Sequence, residues 1–321
     1  MKETTPRIYV SNASITRGFS SNCFNPSLVY YQGDLLFFYR YQFKRELFNN
    51  IGFVKLDSNF KPTSKHQTLK IPKVTEKIKS CSDPRAFVWK DKLYLSCQQE
   101  SFVNNAGWST SVVLGNVDLN NGQLDNIHVP NYGKNFNYCI TDAPLAFERN
   151  WTPLIVDNDF YIIYRINPLT VIKFCPQQQI WTEVEVTHKY SIIPYQTYVS
   201  GGTPLIPWRG SEYIGLFHTY VNTDENRRFY SMGFYTVDVN EWRVTSISPK
   251  PILTPWKNKW KDSRRHIVKR MFVETPSYEV VFPAGIIDCG NAWAVSYGWN
   301  DCRCYINIYE KNMVIESLIP C

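Results

Sequence analysis

Asn25-Pro26-Ser27-Leu28-Val29, followed past a Gly33-Asp34 turn by Leu35-Leu36-Phe37-Phe38-Tyr39-Arg40, carries the reading of the fold. A polar residue precedes proline, a short apolar run follows, and an aromatic run returns to end in a polar side chain. The phrase recurs four times. Asp83-Pro84-Arg85-Ala86-Phe87 leads to Cys97-Gln98, and Trp151-Thr152-Pro153-Leu154-Ile155 leads to Tyr164-Arg165. Gly202-Thr203-Pro204-Leu205-Ile206 leads to Phe217-His218, and Phe282-Pro283-Ala284-Gly285-Ile286 to Tyr297-Gly298. Short apolar runs bounded by Gly, Asn and Asp are strand and hairpin signals, and self-similarity along a chain marks a repeat architecture. Five copies in 321 residues leave about 64 each, enough for a four-stranded antiparallel blade with its loops. The expected fold is all-β, a five-bladed β-propeller around a central active-site channel, with residues 1–321 as a single domain. A two-sheet β-sandwich competes but leaves five copies of one phrase unexplained.

Composition agrees. Hydrophobic residues make up 44% and charged residues 20%, which excludes intrinsic disorder. Aromatics are abundant, with 10 Trp, 21 Tyr and 19 Phe, while amphipathic helix patterns are nearly absent. No apolar run approaches the roughly 20 residues of a membrane span, and Met1–Arg7 lacks the apolar core of a secretory signal. Nine scattered cysteines, an odd count, match a reducing compartment, so a cytoplasmic protein is expected. Cys302-Arg303-Cys304 is spaced too closely for a zinc pair. With neither a Walker nor a dinucleotide glycine pattern, no metal or cofactor is expected.

A propeller brings the starts of its innermost strands to one channel mouth, and proline is tolerated at a strand's first residue. The polar residues beside the repeated prolines, Asn25, Asp83, Thr152 and Thr203, are therefore expected at the rim. Capping of the strand starts is the plainer role for each.

In this order, Asn25-Pro26 with Tyr39-Arg40, Ser82-Asp83-Pro84-Arg85 and Glu148-Arg149-Asn150-Trp151-Thr152-Pro153 resemble signature segments of a known family. Further along, so do Tyr164-Arg165-Ile166-Asn167-Pro168, Gly201-Gly202-Thr203-Pro204 with Phe217-His218, and Phe282-Pro283-Ala284-Gly285 with Tyr297-Gly298-Trp299-Asn300-Asp301. The family is the β-mannoside phosphorylases and mannosidases of glycoside hydrolase family 130, together with related mannosyltransferase/phosphorylases classed among the glycosyltransferases. The resemblance implies that Asp83 is the catalytic acid, acting in the phosphorylases through a hydroxyl of the bound mannose. Chemistry asks for such a group: the leaving oxygen of an acetal needs a proton, and a positioned carboxyl supplies roughly 10²–10⁴-fold in rate. One carboxyl suffices when anionic phosphate is the nucleophile, whereas hydrolysis needs a second to activate water.

The resemblance further implies a phosphate-binding set of Arg40, Arg85, Arg149, Arg165 and His218. The guanidinium fork suits phosphate oxygens. Asp301 stands at a position that bonds mannosyl hydroxyls. Asn25 and Thr203 are expected to join it, with Trp151, Trp299 and Tyr297 as aromatic sugar platforms and Tyr39 behind them. Two departures stand out: Ser82 precedes Asp83 where relatives carry an acid, and Leu169 follows Pro168 where relatives carry His.

The net charge of +7 is concentrated in 257–270, where Lys257, Lys259, Lys261, Arg264, Arg265, Lys269 and Arg270 are offset only by Asp262. We read this stretch as a basic insertion between the fourth and fifth units, able to hold a phosphorylated ligand, to touch a membrane surface or simply to remain a solvated face. A nucleic-acid partner is not expected, since no binding motif accompanies it.

The leading expectation is inverting transfer of a mannosyl-type sugar between a sugar 1-phosphate and a carbohydrate acceptor. A nucleotide-sugar glycosyltransferase with its diphosphate on 257–270, and a non-catalytic carbohydrate-binding propeller, are the alternatives.

Overall fold

The aromatic run Leu35–Tyr39 is buried along its whole length because both its faces are covered. Alternate side chains point opposite ways along a strand: Phe37 and Tyr39 enter one apolar cluster, Leu36 and Phe38 another. The structure is a computed structural model that describes residues 7–10, 22–42, 48–76, 78–103, 107–133, 147–195, 198–222, 228–255 and 278–321. Among these the protein is all-β apart from one short helix. The basic stretch 257–270 lies outside the described residues, so its expected membrane or diphosphate contact does too.

After β1 (Arg7–Val10), the strands β2 (Asn22–Tyr31), β3 (Asp34–Gln42), β4 (Asn50–Leu56) and β5 (Gln67–Thr68) form one antiparallel sheet. A second contains β6 (Ile78–Trp89), β7 (Lys92–Val103), β8 (Gly107–Asp118) and β9 (Gln123–His128). A third contains β10 (Thr152–Val156), β11 (Asp159–Ile166), β12 (Leu169–Cys175) and β13 (Ile180–Glu183). Next come β14 (Val199–Gly201), β15 (Ile206–Arg209), β16 (Glu212–Asn222), β17 (Arg228–Asp238) and β18 (Arg243–Ile247). The chain ends with β19 (Tyr278–Asp288), β20 (Ala292–Trp299), β21 (Arg303–Glu310), helix α1 (Lys311–Ser317) and β22 (Ile319–Pro320). These two antiparallel groups join in one ten-stranded sheet through a short parallel pairing of β17 with β19, and β1 adds to β21.

Apolar faces lock each group to the next. Phe38 and Phe53 pack on Leu95 and Val113, and Phe87 and Trp89 on Phe160 and Phe174. Ile163 and Val171 meet Phe217 and Tyr235, and Phe234 meets Trp293 and Val295. Leu28 and Phe37 complete the sequence against Ile287 and Ile306. Each such side chain contributes about 1.5–3 kcal/mol by leaving water. Two-residue hairpins at Gln32-Gly33, Lys90-Asp91 and Asp157-Asn158 have positive φ at both positions. That is the turn whose twist matches paired strands.

The repeated prolines are not all at strand starts, as the sequence reading expected. Pro26, Pro84 and Pro283 sit inside β2, β6 and β19, at breaks in the pairing register. A bulge tolerates a residue without an N–H and re-aims its neighbour. Here the neighbours are Asn25 and Asp83, with φ of 49 and 52. Asn and Asp enter this left-handed region more readily than other non-glycine residues, which accounts for the polar residue ahead of these two prolines.

Gly298 backs this bulge closely. A Cβ there would run into Asn25 Oδ1 and lie 2.7 Å from the Asn25 backbone N. Gly298→Ala is expected to cost about 1–3 kcal/mol through overpacking and to displace Asn25. Thermal melts read the first effect and turnover the second. No helix among the described residues is long and apolar enough to cross a membrane.

Candidate active site

The bulges of β2 and β6 turn Asn25 and Asp83 toward one another. Asn25 Nδ2 donates to Asp83 Oδ1 at 2.8 Å, and Arg40 Nη1 reaches the same oxygen at 3.2 Å. Asp83 is buried in the lining of a cleft of about 950 Å³. Burial alone would raise its pKa. Arg40, the Asn25 hydrogen bond and Arg85 together outweigh that and hold the carboxyl below its usual range, so it is ionised at neutral pH. Arg40 stacks over Phe24 at 4.7 Å. Its charge is kept, against burial, by the carboxylates of Asp83, Glu100 and Asp301.

Of the expected site residues, Asn25, Arg40, Asp83, Arg149, Trp151, Arg165, His218 and Asp301 all line this one cleft, although they span most of the chain. Four cleft residues that are not glycine have positive φ: Asn25, Asp83, Asn150 and Asp301. Such sparsely populated backbone gathers at functional sites.

Several expectations are corrected. Arg85 is not free to hold phosphate. It is buried with Nε donating to Gly202 O at 2.6 Å and its Nη groups directed at the carbonyls of Gly201 and Asp83. Burial lowers its pKa to about 10. It ties β6 to the β14 segment, and its charge helps to lower the Asp83 pKa. Thr152 and Thr203, expected at the rim, are fully buried and outside the cleft lining, and Thr203 Oγ1 accepts the Leu216 N–H at 3.0 Å. Tyr297 and Trp299 share one face of β20 with Trp293 and Val295 and pack in the apolar core. The Tyr297 hydroxyl donates to Asn307. Tyr39 is likewise core, bonded to His66.

His218 reaches the cleft as a neutral imidazole. Burial first, then Arg85 and Arg149, lower its pKa to about 3; burial lowers that of His66 to about 4. Both groups hold fewer protons folded than unfolded. Their stabilisation is full above the ordinary value of 6.5 and is lost as pH falls from there toward 4 and 3. The melting temperature is expected to drop across that window, and His218→Gln is expected to make the drop shallower.

The sequence reading missed other cleft residues. Gln98 and Glu100 are two apart on β7 and share a face, and Glu100 accepts the Ser82 hydroxyl at 2.5 Å. It restores an acid beside Asp83 where Ser82 had removed one. Glu148 is buried and accepts from the Tyr164 hydroxyl at 3.3 Å. Arg228 stacks over Tyr220 at 5.1 Å, and Phe282 packs 4.7 Å from the His218 ring. With Phe147 and Tyr198 exposed at the lining, the aromatic surface belongs to these residues and not to Trp299, Tyr297 or Trp151, which is 1% exposed and packs in the core behind the cleft wall.

Carboxylates, exposed arginines and aromatic side chains in one large cleft suit an anionic and polyhydroxylated ligand, and the family of the chain makes it a carbohydrate-active enzyme of the glycoside phosphorylase and hydrolase class. The chain belongs to glycoside hydrolase family 130: the family model described as beta-1,4-mannooligosaccharide phosphorylase matches residues 3–317. No curated protein sequence matches the chain. Among solved structures, it is similar to a β-1,2-mannobiose phosphorylase from Listeria innocua in complex with β-1,2-mannobiose. The TM-score is 0.64 and the identity 15%, over 98% of this chain and 99% of that one. A glycosyl hydrolase from Bacteroides ovatus gives a TM-score of 0.57 at 14% identity, over 100% and 92% of the two chains. A mannose phosphorylase from Leishmania mexicana in complex with phosphate ion gives 0.53 at 10%, over 98% and 91%.

Proposed function

We propose that this protein is an inverting mannoside phosphorylase, a single domain whose five antiparallel strand groups ring the cleft as propeller blades. The ring is supported by the order of packing, in which each group of strands meets the next and the last meets the first. Asp83 is the proton-transfer residue. In phosphorolysis it delivers a proton to the glycosidic oxygen while a phosphate oxygen attacks the anomeric carbon from the opposite face. The bond from carbon to glycosidic oxygen breaks, the bond to phosphate forms, and the configuration inverts. In synthesis the ionised Asp83 takes the acceptor's proton and phosphate leaves. Arg40, Arg149, Arg165, His218 and the newly recognised Arg228 hold the phosphate, and Asn25 and Asp301 border the sugar.

The observation that carries this reading is Asp83, ionised and fixed between Asn25 and Arg40 in an arginine-lined cleft. Phosphate arriving at Arg40 would draw that cation from Asp83 and let the carboxyl take up the proton it must deliver. Hydrolysis is the competing reading, favoured by Glu100 and Glu148 in the same cleft, since water needs a second carboxylate to activate it. A donor screen of mannose 1-phosphate, GDP-mannose and other nucleotide sugars against simple acceptors tests the proposal. Turnover of mannose 1-phosphate supports it. Exclusive use of a nucleotide sugar, or mannoside cleavage without phosphate, overturns it.

A further inference from the structure

Four buried hydrogen-bonding atoms of cleft residues have no partner among the described residues: Asn25 Oδ1, Arg40 Nε, Gln98 Nε2 and His218 Nδ1. A buried polar group left unpaired costs about 1–3 kcal/mol, so each such atom calls for a partner beyond the described residues. Three of the four residues already have a part in the proposed reaction. Gln98 has none. It is 3% exposed, and its partner across the strand pair is Ser82, the residue before Asp83. Its neighbour Gln99 spends its amide within the fold, donating to Pro72 O and accepting from the Val74 N–H. The Gln98 Nε2 has no such partner among the described residues.

Glu100 lies two residues from Gln98 on the same strand face and accepts the hydroxyl of Ser82, the residue paired with Gln98. A phosphate dianion is disfavoured directly beside that carboxylate. A sugar hydroxyl donates to a carboxylate and accepts from an amide at once, which is the pairing the Gln98 side offers. We propose that Gln98 donates from Nε2 to a hydroxyl of the transferred sugar and is a specificity-determining residue of this site. The inference rests on the mannosyl-transfer reading. It also explains why an amide suits this position: a donor committed to one hydroxyl is stranded by an analogue that lacks it.

The test uses the full chain with Gln98→Met and Gln98→Glu, both close to the native shape, with circular dichroism reporting the fold. Phosphorolysis of a manno-oligosaccharide and of monodeoxy analogues is measured at varied inorganic phosphate. Gln98→Met is expected to lower kcat/KM for the saccharide roughly 10–100-fold while the KM for phosphate stays within about twofold. Wild type should discriminate against one monodeoxy sugar, and the variant should lose that discrimination. If Gln98→Met fails to fold, loss of the same discrimination in Gln98→Glu carries the result. A rise in phosphate KM with the saccharide unaffected overturns the inference, as does unchanged discrimination in a folded variant that turns over. Wild type that neither binds nor cleaves any mannoside refutes the mannosyl-transfer reading itself, and this inference with it.

Discussion

Asp83→Asn is expected to reduce kcat for mannosyl transfer by roughly 10²–10⁴-fold, the range that a positioned general acid or base supplies. The asparagine keeps the size of the side chain but neither delivers nor takes the proton. Because Asp83 touches the leaving oxygen only in the reaction, substrate affinity should change far less than kcat. The substitution also leaves Arg40 without its partner in a largely buried pair, with side-chain exposures of 19% and 12%. Some stability is therefore lost as well. Steady-state kinetics in both directions, with circular dichroism on the same sample, separate the effects. A variant that binds saccharide and retains wild-type turnover would remove Asp83 from the chemistry.

Arg40→Gln is expected to act twice. It removes a charge-assisted bond to phosphate, worth about 1.5–3 kcal/mol, so the KM for phosphate should rise roughly 10–100-fold by the same principle. It also removes the charge that most strongly opposes the effect of burial on Asp83, and the carboxyl pKa then rises. The synthetic direction needs ionised Asp83, so its acid limb should move to higher pH. Arg40→Lys keeps the charge without the fork, and should restore the pH profile more fully than the phosphate KM. A pH–rate profile of kcat/KM in the synthetic direction checks this. Unshifted limbs in Arg40→Gln would mean that the pair does not set the ionisation of Asp83.

Much of this was legible in the residues because the phrase that repeats is also the phrase that builds the cleft. Asn25-Pro26 and Asp83-Pro84 mark where the chain bulges, and the polar residue is there for a backbone reason as well as a chemical one. Arg85 was misread because its partners, the carbonyls of Gly201 and Gly202, lie more than a hundred residues away. Nothing local announces a guanidinium spent inside the fold. Tyr297 and Trp299 could have been read correctly. Trp293, Val295, Tyr297 and Trp299 recur at every second residue, the mark of one buried strand face. The same period places Gln98 with Glu100 and sets Gln99 apart, a signal hidden by treating Gln98 only as a strand end. Glu148 and Arg228 gave no such sign. They reach the cleft from segments whose approach is fixed by packing between sheets, not by local pattern.

The central claim is that phosphate, not water, attacks a mannoside activated by Asp83. Incubation of the protein with a β-linked manno-oligosaccharide, with and without inorganic phosphate, followed by proton and phosphorus magnetic resonance of the first-formed product, tests it most directly. The account predicts α-mannose 1-phosphate, formed only when phosphate is present and lost in Asp83→Asn. Free mannose released at the same rate without phosphate, or a β-configured sugar phosphate, would contradict it.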